Sequence, residues 1–202
     1  MAPTMTKTRK QAILAAALHC FNANGVEATT IEAIRERSGA SVGSIYHHFG
    51  SKERIASALF VEGVTSHAQL LTSYLARVET AEQGVRAVVH AYVDWVSANR
   101  ELARFLLHGR SYAVAAEGET RLTAVNDENF SAIRARFKPW IARGDIRKLP
   151  VECYVPLLRG AAQDYARAFL GGHVRTDISA LREVFADAAW RALAPWARSP
   201  RR

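Results

Sequence analysis

Residues 29–53, Thr-Thr-Ile-Glu-Ala-Ile-Arg-Glu-Arg-Ser-Gly-Ala-Ser-Val-Gly-Ser-Ile-Tyr-His-His-Phe-Gly-Ser-Lys-Glu, constrain the chain more than any other stretch. Two short amphipathic segments lie in it, each opened by a hydroxyl residue, separated by a glycine-containing turn and followed by a third helix start. This is the pattern of a helix-turn-helix. Thr29 or Thr30 can cap the first segment, and Thr29 with Glu32 has the capping-box spacing that satisfies two otherwise orphaned amides. Ile31 and Ile34 share its inner face. Gly39 can take the left-handed conformation that ends a helix, and Ser41 can cap a second one, with Val42, Ile45 and Phe49 as its buried side. Gly50 ends that helix, and Ser51-Lys52-Glu53 begins the next. The outer face of the middle helix keeps Ser44, Tyr46, His47 and His48, all hydrogen-bonding and none acidic, a chemistry suited to phosphates and base edges.

The distribution of charge agrees with a polyanionic partner. The formal net charge is +8 and the pI about 9.9, but placement matters more than the sum. Residues 1–54 carry seven lysines or arginines against four glutamates, a net +3, and the segment after Trp190 carries four arginines and no acid, leaving +1 for the long middle. A basic terminus by itself is a common solvated feature, so only the N-terminal excess bears on DNA. At 202 residues with 49% apolar composition the chain can bury a sizeable core. No apolar run is long enough to span a membrane, and residues 1–10 lack the apolar core of a secretory signal, so a cytoplasmic location is expected. Cys20 and Cys153 stand singly in apolar surroundings, which predicts buried reduced thiols and no metal site.

Read in order, the chain predicts an all-α fold of about nine helices, with no sustained period-two alternation and no internal repeat. Residues 8–24 place Ile13, Leu14, Ala17, Leu18 and Phe21 at helical spacing before an Asn24-Gly25 stop, and the helix is expected to cover the apolar side of the helix-turn-helix. Lys7, Arg9 and Lys10 at its start face either solvent or a phosphate backbone. A helix from about Ser51 to Val78 meets no proline, has Gly63 as its one weak point, and reads as a lever between an N-terminal helix-turn-helix domain, residues 1–54, and a helical domain, residues 55–202. Helices follow at 81–98, 100–108, 118–143, 151–170 and 177–194. Pro156 predicts a kink in 151–170, and Asp177 a cap for 177–194. The small residues from Gly160 to Ala168 and the apolar stripe of the last helix leave two readings open: closure of the monomer core, or half of an intermolecular four-helix bundle.

At Thr30 to Lys52 the chain resembles the TetR family of bacterial transcriptional regulators. The likeness rests on Thr30, Ile34, Gly39, Ser41, Gly43, Ser44-Ile45-Tyr46, His48-Phe49 and Ser51-Lys52-Glu53 at the family's spacing, after a helix ending in Asn-Gly. Outside residues 8–55 it rests only on length and helix count. The resemblance implies that residues 42–48 form the recognition helix, with Ser44, Tyr46 and His47 facing DNA and Ser41 at its capping end. Lys52 grips a phosphate, as its place at a helix amino end also favours, and Thr30 makes a second phosphate contact. His48 either reaches phosphate or packs against the first helix. Arg35 and Ser38 stand where the family has small apolar residues, and Ala40 where a larger one is common. Val42 replaces a frequent basic residue, so a phosphate contact gives way to contact with a thymine methyl.

The same resemblance implies a homodimer, joined through the helices near 151–170 and 177–194, on a palindromic double-stranded DNA operator whose half-sites lie about 34–36 Å apart. It also implies a small-molecule effector held among the middle helices, with Tyr92, Trp95, His108, Tyr112, Phe130 and Tyr165 as candidate contacts and Arg104 and Arg134 as candidates for an anionic ligand. The effector must prefer the conformation that does not fit DNA, because equal affinity for both states shifts nothing. No cofactor, metal or catalytic residue is expected. Phosphate-binding glycine loops, the Gly-x-Ser-x-Gly elbow and the His-Glu-x-x-His pattern are all missing from the sequence. The remaining alternative is an activator or architectural DNA-binding protein that has no inducer.

Overall fold

A computed structural model describes residues 8–117 and 119–196; the expectations placed on Lys7, Arg198, Arg201 and Arg202 lie outside them. Among the described residues every regular element is helical: α1 Arg9–Ala28, α2 Ile31–Ser38, α3 Val42–Phe49, α4 Lys52–Leu75, α5 Ala81–Ala98, α6 Arg100–Glu117, α7 Glu119–Arg143, α8 Val151–Leu170 and α9 Arg182–Leu193, with a short 3-10 turn Ile178–Leu181 before α9. The start signals are local. Thr8 and Thr80 form capping boxes with Gln11 and Gln83, so each helix begins with two of its free amides already bonded. Gly25, with φ 78°, breaks α1 where Asn24-Gly25 predicts a stop, and one further turn carries the chain to Ala28.

The chain forms two compact units: Met1–Val64 with Glu101–Val125, and Thr65–Arg100 with Asn126–Arg202. The division expected after residue 54 does not coincide with them. Ile55, Ala56, Leu59 and Phe60 of α4 are buried in one core with Ile13, Ala17 and Phe21 of α1 and with Ile34, Ile45 and Phe49. Each isoleucine, leucine and phenylalanine among them contributes about 1.5–3 kcal/mol by leaving water, which joins the first turns of α4 to the N-terminal unit. The sequence also ends α6 too early, at residue 108, because its later turns carry few strong apolar residues. In the structure α6 continues to Glu117 and adds Phe105 to the same core. Phe105 stacks on Phe21 with ring centroids 5.8 Å apart, and Asn22 donates to the carbonyl of Glu101 at 2.8 Å. Gly63 proves to be a contact point in an unbroken α4, since a Cβ there would lie 2.5 Å from a methyl of Leu106.

In the second unit α5 packs against α8 and α9. The apolar face of α5, with Val85, Val89, Val93 and Val96 fully buried, supplies its centre. α8 runs on through Pro156, which lacks the N–H for one helical bond. Segment 177–194 is no single helix: Asp177 caps the 3-10 turn by accepting from the Ser179 amide at 2.9 Å, and α9 proper starts at Arg182. Around it, Arg182 holds Asp94 through two nitrogens at 3.0 and 3.1 Å, and Tyr74 donates to the same carboxylate. Cys20 is buried, whereas Cys153 is half-buried, and both are free thiols.

Candidate functional site

The helix-turn-helix is built by caps outside and isoleucines inside. Thr30 accepts from the Ala33 amide at 3.1 Å and opens α2; Gly39, at φ 65°, closes it; Ser41 accepts from the Ser44 amide at 3.1 Å and opens α3. Each cap is worth about 1 kcal/mol to a helix of only two turns. The capping box expected from Thr29 and Glu32 does not form. Thr29 is buried, and its hydroxyl donates to the Gly25 carbonyl at 2.7 Å with that of Cys20 at 3.2 Å, while Glu32 pairs with Arg35 at 2.6 Å. Ser38 and Arg35, the departures from the family pattern, stay at the surface of α2, where Ser38 accepts from the Ala40 amide at 3.2 Å and the small Ala40 side chain is buried.

Ile45 and Phe49 anchor α3 inward, and Tyr46, His47 and His48 are left on its outside, with Tyr46 50% exposed and Ser44 half-buried beside them. Val42 was expected on the buried side. It is 38% exposed, because the first residue of α3 lies one turn before Ile45 at the rim, a place that suits apolar contact with a ligand better than core packing. His48 is exposed, its ring 5.5 Å from that of His47 and 6.3 Å from Phe49.

The basic residues around this face are held in position. Arg9 donates to the carbonyl of Gly39 at 3.0 Å, bracing the turn between α2 and α3, and the Lys10 ammonium stands 5.8 Å from the centre of the Phe49 ring. Lys52 is half-buried and donates to the carbonyls of Glu27 at 2.8 Å and Thr29 at 2.9 Å. Two of its three ammonium hydrogens are thus spoken for, and one remains. Its neighbour Glu53 has a carboxyl held below the usual range by its own backbone amide and by the Ser51 hydroxyl.

The six candidate effector contacts separate. Tyr92, Trp95 and Phe130 come together around His67, their ring centroids 5.8, 5.7 and 6.2 Å from its own. Tyr165 belongs elsewhere: its hydroxyl donates to the Thr176 carbonyl and its ring rests on Phe185. His108 is exposed, and Tyr112 packs against the N-terminal core, both in the first unit. Arg134 pairs with Asp127 at 3.2 Å. The sequence reading missed His67 and Arg159. His67 is 6% exposed with Nε2 unpartnered, and Arg159 has a sealed, unpartnered Nε. Burial, helped by the Arg159 charge, pushes the His67 imidazole down to about 4; burial also lowers Arg159 and raises the Tyr92 phenol. The signal available in the sequence was a lone His in the middle of an apolar helix, which does not distinguish core from site. Among the described residues no cluster of metal-ligating side chains forms, and no helix is long and apolar enough to cross a membrane.

Residues 13–59 match the family described as bacterial regulatory proteins, tetR family. Over 150 residues, 71% of this chain and 72% of the relative, the sequence is 29% identical to the HTH-type transcriptional repressor AcnR of Corynebacterium glutamicum. A TetR family transcription regulator from Marinobacter aquaeolei superposes with a TM-score of 0.77 at 19% identity, covering 93% of this chain and 96% of the other. The transcriptional regulator FadR of Bacillus subtilis, solved in complex with stearoyl-CoA, superposes at 0.71 and 18% identity, covering 88% and 96%. In sequence the helix-turn-helix region thus matches the tetR family of bacterial regulatory proteins, and in fold the chain is similar to solved TetR family regulators over nearly its whole length.

Proposed function

We propose that this protein is a ligand-responsive repressor that binds a palindromic DNA operator as a homodimer and is released by a small molecule. The observation that carries the DNA reading is α3, an acid-free polar face of Tyr46, His47 and Ser44 held rigidly from behind by Ile45 and Phe49. In this reading Ser44 and His47 meet base edges in the major groove, Tyr46 and Val42 flank them, and Thr30, Ser41 and Lys52 reach phosphates. The two hydroxyls keep O–H donors to offer, since as caps they only accept. Such a regulator acts in the cytoplasm, where its DNA is.

The homodimer is supported by apolar residues left in the open. On α8, Val151 and Val155 are 77% and 53% exposed, and Val184 on α9 is 60% exposed, which is costly for a monomer and ordinary for half of a four-helix bundle. Repression is supported by the Corynebacterium relative, which is a transcriptional repressor. Release by a small molecule is supported by the buried, unpartnered polar groups around His67 and by the FadR fold neighbour, which holds stearoyl-CoA. The effector has to favour a spacing of the two N-terminal domains that misses successive major grooves.

One experiment tests the reading: selection of bound fragments from a genomic DNA pool, repeated with metabolite fractions, alongside the solution mass of the free protein and of Val155→Glu. A palindromic site lost on adding one fraction, with a dimer that Val155→Glu dissociates, is the expected result. A monomer at micromolar concentration that still selects a single half-site removes the palindrome and the dimer together.

A further inference from the structure

We propose that Arg159, His67 and Tyr92 form the anion-binding end of the effector site, and that the effector is a small carboxylate with an aromatic or short acyl body. The proposal rests on the ligand-responsive reading and narrows it to a chemical class.

Arg159 is unlike the other half-buried arginines of its unit. Arg86 holds Glu82 at 2.9 Å and Asp187 at 2.6 Å, Arg182 holds Asp94, and Arg147 donates to the carbonyls of Arg191 and Ala192. Arg159 has no hydrogen bond or ion pair to a described residue, and its Nε is shut away from water. A cation drawn into the interior without a counter-charge is strongly unfavourable, and such an arrangement persists where something outside the chain supplies the missing charge. Its charge acts on His67 and Tyr92, and among the described residues no carboxylate is paired with it. The Tyr92 hydroxyl likewise makes no hydrogen bond to a described residue, and His67 Nε2 has none. Three polar groups from α4, α5 and α8 therefore share one unfilled requirement.

The shape of that requirement selects the ligand. The guanidinium fork matches the two oxygens of a carboxylate. Arg167 also acts on Tyr92, but its guanidinium is paired with Asp164 at 2.7 Å at the surface, so among the described residues Arg159 is left as the uncommitted positive charge, which matches a monoanion. The Tyr92 O–H can give one further bond, and His67, neutral at pH 7, can give or take one. The surroundings are rings: Trp95 and Phe130 face His67, and Trp95 has already given its indole N–H to Ser66 at 3.0 Å, so it presents surface and no hydrogen bond. An apolar body thus lies against the rings while its carboxylate meets Arg159.

The test uses the full chain with phenylacetate and hexanoate, each against its neutral amide, by calorimetry and by melting temperature. The carboxylates are expected to bind and raise the melting temperature, with the amides at least tenfold weaker. Arg159→Gln is expected to lose that preference by tenfold or more while melting higher than the parent in the absence of ligand, because the uncompensated cation is gone; the gain in stability separates loss of the site from loss of the fold. Equal binding of acid and amide, no carboxylate binding at millimolar concentration, or an undiminished preference in Arg159→Gln overturns the proposal. Operator binding is followed in parallel. Carboxylates that bind through Arg159 and leave DNA binding unchanged uphold the site and overturn the ligand-responsive reading, whereas release by neutral molecules alone upholds that reading and overturns the carboxylate site.

Discussion

Lys52 donates to the carbonyl of Thr29 at 2.9 Å, so the first residue of α4 is tied to the residue that closes α1. The same ammonium also holds the carbonyl of Glu27 at 2.8 Å. The geometry gives Lys52 a positioning task beside any contact with DNA: it sets the amino end of α4 against the corner from which α2 departs.

Lys52→Ala is therefore expected to act twice. Loss of two charge-assisted hydrogen bonds lowers stability by about 1–2 kcal/mol, and loss of the remaining donor weakens binding to all DNA sequences alike, reducing the salt slope by about 1. Thermal melts and binding titrations across a salt series read the two effects separately. An unchanged slope with a lowered melting temperature would leave Lys52 a purely structural anchor.

Ser44 and His47 should behave differently. Both lie on the outer side of a helix whose packing runs through Ile45 and Phe49, so Ser44→Ala and His47→Ala are expected to leave stability within about 0.5 kcal/mol of the parent. What changes is the preferred operator sequence, at a cost of about 1–3 kcal/mol for the original site. Uniform weakening on every sequence would reassign them to backbone contacts.

Gly84→Ala offers a sharp test of packing in the second unit. Alanine gains about 1 kcal/mol over glycine in a helix interior, yet a Cβ at this position of α5 would stand 2.4 and 2.6 Å from ring atoms of Trp140. A buried indole cannot yield as a flexible methyl end can, and overpacking of this kind costs about 1–3 kcal/mol. Net destabilisation in urea unfolding is the expected outcome; a stabilised variant would show that α5 and α7 have room to part.

His67 makes stability depend on acid. Its folded pKa is about 4 against an ordinary value of 6.5, through burial first and the Arg159 charge second. Between those values the unfolded chain binds the proton and the folded chain does not, so this contribution to stability is present above about pH 6.5 and is lost as pH falls toward 4. At pH 4.5 the loss amounts to about 2–3 kcal/mol. His67→Gln, in which every other titrating group is retained, should show a fall in stability from pH 7 to 4.5 smaller by that amount, measured by urea unfolding at the two pH values.

Much of the N-terminal architecture was legible because its signals are local. A hydroxyl before an apolar run, a glycine where the backbone must turn left-handed and isoleucines three or four residues apart act within one or two turns of helix, and Thr30, Gly39, Ser41 and Gly50 all do in the structure what their positions predict. The misreadings share the opposite property. Thr29 was drawn away from Glu32 by carbonyls at Cys20 and Gly25, and the later turns of α6 by a core that begins at Ile13.

The sequence by itself determined that the chain is helical, where most helices start and stop, and that residues 29–53 make a helix-turn-helix with an acid-free outer face. Capping, propensity and period are short-range forces that a linear string records. Tertiary structure decided which of six scattered aromatics and histidines meet, placing Tyr92, Trp95 and Phe130 around His67 and leaving Arg159, whose charge acts on His67 and Tyr92, with no counter-charge among the described residues. Desolvation and charge compensation depend on what lies across space, and no spacing along the chain encodes that.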